Sequence, residues 1–169
     1  MCLTCRVGTY DKVVKTLQEL GISKDNIHAL FGPIDLLVQF DGLSNLDEFV
    51  DNWFNPVRMI GSEDSLITET LTFVVISEGP RIKGEPFAFI FFKAKPKYME
   101  DVRSSLLNIS EVLSADTVFG PFDIICSVKA NNREELERSL AYIQSKITGI
   151  EKTMTAVVAH DRFGPFSIG

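Results

Sequence analysis

Apolar and polar positions alternate along two stretches of this chain that are near-copies of each other. In Phe31-Gly32-Pro33-Ile34-Asp35-Leu36-Leu37-Val38-Gln39-Phe40 a Gly-Pro turn feeds a strand whose Ile34, Leu36, Val38 and Phe40 share one face. In Phe119-Gly120-Pro121-Phe122-Asp123-Ile124-Ile125-Cys126-Ser127-Val128 the same turn feeds Phe122, Ile124, Cys126 and Val128. Glycine supplies a turn conformation that a side chain hinders, and proline has no N–H for a ladder. Asp35 and Asp123 fall on the opposite face, each in the first turn of an apolar strand, where a carboxylate needs a reason.

The two stretches lie 88 residues apart (31 to 119), and the same offset pairs Tyr10 with Tyr98 and Val14 with Val102. Downstream, Thr70-Leu71-Thr72 resembles Thr153-Met154-Thr155 at an offset of 83 (70 to 153). Two landmarks in the same order point to an internal duplication. The five extra residues of the first copy are expected in the loop around 55–65, where Asn-Pro and Gly-Ser break the pattern.

Each copy spells β-α-β-β-α-β. The second is expected to run as a strand over 87–94, a helix over 97–109 with Tyr98, Val102 and Leu106 at a spacing of four, and strands over 112–119 and 122–129. A helix capped by Asn131 or Asn132 follows, with Leu136, Leu140, Ile143 and Ile147 on one stripe, Glu134 and Glu135 in its first turn and Gly149 as its stop. The last strand is 151–160. The first copy is expected over 2–7, 10–20, 27–31, 34–40, 46–54 and 66–76. The fold class is α+β: two ferredoxin-like β-α-β-β-α-β repeats forming an intrachain pseudo-dimeric α/β barrel. Residues 1–78 are the first repeat, 79–86 a linker, 87–160 the second repeat and 161–169 a C-terminal tail. Sheet edges left over predict a dimer or larger.

Composition narrows the function. A 45% hydrophobic content excludes a disordered chain, and no apolar run is long enough to span a membrane. No charged segment followed by an apolar core opens the chain, so no secretory signal is expected and the protein is read as cytoplasmic. The net charge is −6 and the basic residues are scattered, which argues against gripping nucleic acid directly. Three cysteines do not suggest a disulfide framework.

Candidate chemistry centres on the turns. If the apolar set Met154, Ala156 and Val158 meets the helices, then Thr153 and Thr155 point away from them, as Thr70 and Thr72 do in the first copy. Asp123 or Asp35, the threonine hydroxyls and the free amides of the Gly turn could then hold a small zwitterion. The plainer reading is that threonine suits strands and aspartate caps turns. Cys2-Leu3-Thr4-Cys5 lacks the helix N-terminus of a redox pair and the second pair of a zinc site, with Cys126, His28 and His160 scattered. Neither histidine has a nucleophile at motif spacing, and no cofactor is expected. Phe163 to Ile168 echoes the central stretch with Ser167 for the aspartate, as an edge strand, a plug or a disordered tail.

Val118-Phe119-Gly120-Pro121-Phe122-Asp123, followed by Gly149-Ile150-Glu151-Lys152-Thr153-Met154-Thr155, resembles the effector-binding domain of the Lrp/AsnC regulators. The second copy is similar over its whole length. The first keeps Gly32, Asp35, Thr70 and Thr72 but has Leu66-Ile67 where the second has Gly149-Ile150. The resemblance implies a dimeric α/β barrel that binds an amino acid, with Gly120, Asp123, Thr153 and Thr155 as contacts and Gly32, Asp35, Thr70 and Thr72 as a second set. The family's regulators usually carry an N-terminal helix-turn-helix; this sequence departs from that pattern and is read as a stand-alone sensor, not an enzyme, acting on transcription through a DNA-binding relative. The alternatives are a ligand-free assembly domain, or an enzyme of the monooxygenase or haem-processing type on a related barrel, for which His160 is the candidate residue.

Overall fold

In the computed structural model, which describes residues 1–159, the chain divides into two units. One holds Met1–Thr72 together with Ala159; the other is Phe73–Val158. The architecture is α+β, and both sheets are antiparallel.

The second unit grows around β6 (Ala88–Ala94), whose run of Phe and Ile leaves it buried on both faces. Ala88, Ile90, Phe92 and Ala94 join Ile124, Cys126 and Val128 of β8 (Ile124–Val128) in the core beneath two helices. The first of these, α4 (Met99–Leu107), contributes Val102 and Leu106; the second, α5 (Arg133–Lys146), contributes Leu136 and Ile143. The Asn132 side chain caps α5 by accepting the Glu135 N–H at 2.9 Å, and Glu135 accepts the Asn131 N–H at 2.8 Å in return. The stripe read from Leu136, Leu140, Ile143 and Ile147 faces this core. The sheet also holds β7 (Val112–Phe119), β9 (Ile150–Val158) and β5 (Val74–Ser77), in the order β9-β6-β8-β7-β5.

The first unit repeats the plan with β1 (Cys2–Cys5), α1 (Tyr10–Glu19), β2 (Ile27–Phe31), β3 (Leu36–Val38) and β4 (Ile67–Leu71). Its sheet runs β4-β1-β3-β2. Val13, Val14 and Leu17 of α1 pack on Leu3, Leu36 and Val38. The strand order does not close on itself, so neither unit is a barrel alone.

Two stretches depart from the pattern. The first copy's second helix does not stop at Asn55-Pro56. It runs as α2 (Leu46–Phe49), a π-helical turn (Val50–Phe54) and α3 (Asn55–Arg58). The Asn55 N–H reaches back five residues to the Val50 carbonyl, and this wider turn admits a proline, which has no N–H to give. The strand expected over 66–76 breaks at Thr72-Phe73. Its first half is β4; its second half is β5, which pairs with β7 in the other unit's sheet. The expected linker is tied to β7 as well: Gly79 N–H donates to Asp116 Oδ1 at 3.0 Å, Arg81 pairs with Asp116 Oδ2 at 3.3 Å, and Ile82 N–H donates to the Leu113 carbonyl at 2.9 Å.

The units share a hydrogen-bond frame. Leu3 faces Leu36 and Thr70 across the sheet, as Phe92 faces Ile124 and Thr153. A β-bulge falls between Thr4 and Cys5, and another between Lys93 and Ala94. Asn45 caps α2 through the Glu48 N–H at 2.9 Å, as Asn132 caps α5.

Candidate functional site

Each Gly-Pro turn is exposed and delivers an aspartate to the end of the first strand. Phe119, at the rim of the second turn, is 73% exposed. Asp123 then locks the turn to the sheet. Its N–H donates to the Phe92 carbonyl at 2.8 Å, its carbonyl accepts the Val118 N–H at 2.9 Å, and its Oδ2 accepts the Ala94 N–H at 2.9 Å. Asp35 does the same: its N–H donates to Leu3, its carbonyl accepts from Leu30, and its Oδ2 accepts the Cys5 N–H at 2.8 Å. The bulge beside Cys5 and beside Ala94 takes an amide out of the ladder, and the carboxylate accepts it. That is the reason for an acid at the start of an apolar strand.

The two turns differ beyond the clamp. Asp123 Oδ1 also pairs with Lys93 Nζ at 3.1 Å. Thr4 stands at the position equivalent to Lys93, and among the described residues no lysine or arginine pairs with Asp35. Lys93 lies directly across from Lys152, whereas Thr4 lies across from Glu69. Lys152 Nζ sits 5.7 Å from the centre of the Phe122 ring. The second turn thus gathers two lysines around one aspartate, and the first gathers two carboxylates and no lysine.

The threonines do not join the aspartates on the helix-free face. Thr153 and Thr155 face Phe92 and Ile90, which belong to the core beneath the helices, and Thr70 faces Leu3, which does too. The expectation assumed that the apolar residues of β9 turn towards the helices. Here the helix-free face is the more apolar one: Phe89, Phe91 and Ala156 are buried on it, and the rings of Phe73 and Phe122 lie 5.7 and 5.8 Å from that of Phe91. The hydroxyls take the other side of β9, where Thr153 and Thr155 remain half-buried. Thr72 Oγ1 is buried without a hydrogen-bond partner. Gly32 adopts φ 147°, and Gly149 adopts φ 100°, where a Cβ would come within 2.5 Å of the Tyr98 Cβ. Leu66 replaces Gly149 in the first unit; its carbonyl still accepts the Arg6 N–H at 2.9 Å, as that of Gly149 accepts the Lys95 N–H at 2.8 Å.

The sequence reading missed Lys93 and Lys152, whose signal was present only as two basic residues flanking landmarks already marked. It also missed an open groove of about 550 Å³ on the second unit, lined by Glu111, Lys129, Asn131, Glu135 and Arg138. Its carboxylates are engaged locally, Glu135 by Asn131 and Glu111 by the Ser110 hydroxyl. Two of the three thiols are poor nucleophiles: burial pushes Cys2 up to about 11, and burial with the Asp116 charge nearby pushes Cys126 further. Burial pushes the His28 pKa down, against the pull of its hydrogen bond to Gln39 and of the nearby Asp25. His160 and Phe163 to Ile168 lie outside the described residues. Among the described residues no cluster of His, Cys, Asp or Glu could hold a metal, and no helix is long and apolar enough to cross a membrane.

A turn clamped to an antiparallel sheet under two helices makes the second unit an α+β domain. Residues 87–162 match the Lrp/AsnC ligand binding domain. HTH-type transcriptional regulator PH1692 of Pyrococcus horikoshii, itself uncharacterised, is 30% identical over 114 residues, which are 68% of this chain and 74% of that one. The chain belongs to the Lrp/AsnC ligand-binding domain family. HTH-type transcriptional regulator FL11 of Pyrococcus abyssi is 34% identical over 71 residues, or 42% of this chain and 46% of FL11. The chain therefore spans about half the length of that curated relative. Among solved structures, the hypothetical protein PHS023 from Pyrococcus horikoshii is 26% identical and covers 46% of this chain and 96% of its own, with a TM-score of 0.39.

Proposed function

We propose that this protein senses an amino acid or a similar small molecule and acts in transcriptional regulation through partners, in the cytoplasm and without gripping DNA itself. The match of 87–162 to a ligand-binding family, with transcriptional regulators as relatives, carries the reading. The turn Gly120–Asp123 is the candidate contact, with Thr153 and Thr155 on β9 and Gly32, Asp35, Thr70 and Thr72 as a weaker set. The two units are read as a tandem duplication, supported by the shared register, bulges, clamps and caps. We further propose that their helix-free faces pack together as a pseudo-dimer, and that the whole assembles as a dimer or larger, with a DNA-binding relative as partner.

The test is a thermal-shift and calorimetry screen of the twenty common amino acids, with native mass spectrometry for stoichiometry. A ligand at a hundredfold excess over its Kd stabilises by about 2.7 kcal/mol. No shift with any of them overturns the sensor reading. Sequence-selective gel shifts by the protein alone at physiological salt would overturn the indirect route to DNA.

A further inference from the structure

The second unit's turn carries charge that its fold does not use. The clamp needs only Asp123 and the Ala94 amide, and the first unit makes the same clamp with no lysine. Yet Lys93 and Lys152 stand directly opposite each other on β6 and β9. Like charges facing across an antiparallel pair repel. Asp123 answers Lys93 at 3.1 Å, while no carboxylate among the described residues answers Lys152, whose exposed ammonium lies beside the Phe122 ring.

We propose that this lysine pair binds the carboxylate end of a small organic acid, and that the turn does not select for an amine. The inference rests on the sensor reading and specifies which end of the ligand is recognised. An amine could reach Asp123 only by displacing Lys93, which is tethered to the neighbouring strand and always present. A carboxylate displaces nothing: it bridges Lys93 and Lys152, lowers their repulsion and leaves the clamp in place. Phe119, exposed at the rim of the same turn, offers an apolar surface for the body of the acid. A 2-oxo acid and its amino acid therefore bind alike, which makes the sensor indifferent to transamination of its effector. The first unit, with Thr4 and Glu69 at these positions, has no carboxylate site.

Three matched trios test this by calorimetry: leucine, 4-methyl-2-oxopentanoate and 3-methylbutylamine; phenylalanine, phenylpyruvate and 2-phenylethylamine; alanine, pyruvate and ethylamine. The expected result is binding of an amino acid and its oxo acid within threefold of each other, with no binding of the amine. Lys152→Met keeps the stem over Phe122 and is expected to weaken both acids at least tenfold at a melting temperature no lower than the parent's, since it also relieves the repulsion of Lys93; Lys152→Arg is expected to restore them. Binding of an amine without its oxo acid overturns the proposal, and so does acid binding that Lys152→Met leaves intact; either result leaves the sensor reading standing. If nothing binds in the trios or in the twenty-amino-acid screen, both fall together.

Discussion

The two units make the same hydrogen bonds with different side chains around them. Asp35 and Asp123 clamp equivalent bulges, and Asn45 and Asn132 cap equivalent helices. At the positions beside the clamp, Thr4 and Glu69 in one unit stand where the other has Lys93 and Lys152. The difference separates two kinds of residue. An amide left unpaired in a half-buried bulge costs about 1–3 kcal/mol, so the aspartate is needed by the fold whether or not anything binds. The neighbouring charges serve no such bond and are free to diverge. A carboxylate in a turn is therefore weak grounds for a ligand, and the side chains that differ between the two turns are the better place to seek specificity.

The largest way to break the comparison is through the cores. Phe92 and Leu3 occupy equivalent, fully buried positions. Phe92→Ala is expected to cost about 3–5 kcal/mol and Leu3→Ala about 2–5 kcal/mol. Calorimetric melting of each variant tells whether the units unfold together. One shared transition lowered by both variants means a single cooperative body; two transitions, each moved by one variant, mean that the units differ in stability as well as charge.

Next come the clamps. Asp35→Ala and Asp123→Ala should each lose about 1–3 kcal/mol, because each leaves one strand amide unpaired. The Lys93 contact adds little, since that side chain is 43% exposed and surface ion pairs are weak. Denaturant titration of both variants measures this. A loss for Asp123→Ala several kcal/mol larger than for Asp35→Ala would mean that the lysine is part of the structural clamp after all, and would remove the basis for calling its charge spare.

Gly149→Ala sharpens the comparison at a smaller scale. The left-handed backbone at φ 100° and the closeness of Tyr98 leave no room for a methyl, and the loss is expected to be about 1–2 kcal/mol from the backbone alone. The first unit reaches the same carbonyl bond through Leu66, with the positive φ moved to Ser65 at 51°. Thermal melting of Gly149→Ala with no loss would show that Tyr98 can move aside and that the two approaches to the fourth strand are interchangeable.

The elements of both units were legible in the sequence because single-face periodicity marks them: Leu136, Leu140, Ile143 and Ile147 can face only one way. The offset linking Thr70 to Thr153 is also the sheet register, since both face equivalent core residues, Leu3 and Phe92. Other features were not local. The amide that Asp123 satisfies belongs to Ala94, 29 residues away, and nothing in either residue announces the pairing. The facing of Thr153 and Thr155 was misread because β6 is apolar on both sides, so alternation along β9 chooses between two buried faces instead of between core and solvent. Pro56 marked a helix stop that a π-helical turn absorbs. The passage of Val74–Ser77 into the second unit's sheet left no mark in a run that reads as one strand.

The smallest effect is one of pH, and it turns on a histidine of the first unit. His28 lies on β2 of the first unit and is the one histidine among the described residues. Burial holds its pKa below the ordinary 6.5, outweighing the hydrogen bond to Gln39 and the Asp25 charge that favour the proton. Folding therefore prefers the neutral ring. Below pH 6.5 the unfolded chain takes up a proton that the folded chain refuses, so the stability contributed by the buried neutral ring is full above 6.5 and falls as the pH drops towards the lowered folded value. Melting the protein from pH 7.5 to pH 5.5 should lower the first unit's transition, and His28→Gln should flatten that slope while leaving the second unit's response alone. A slope that survives His28→Gln unchanged would assign the acid sensitivity to other groups, the buried Met1 amine among them, whose pKa burial also lowers.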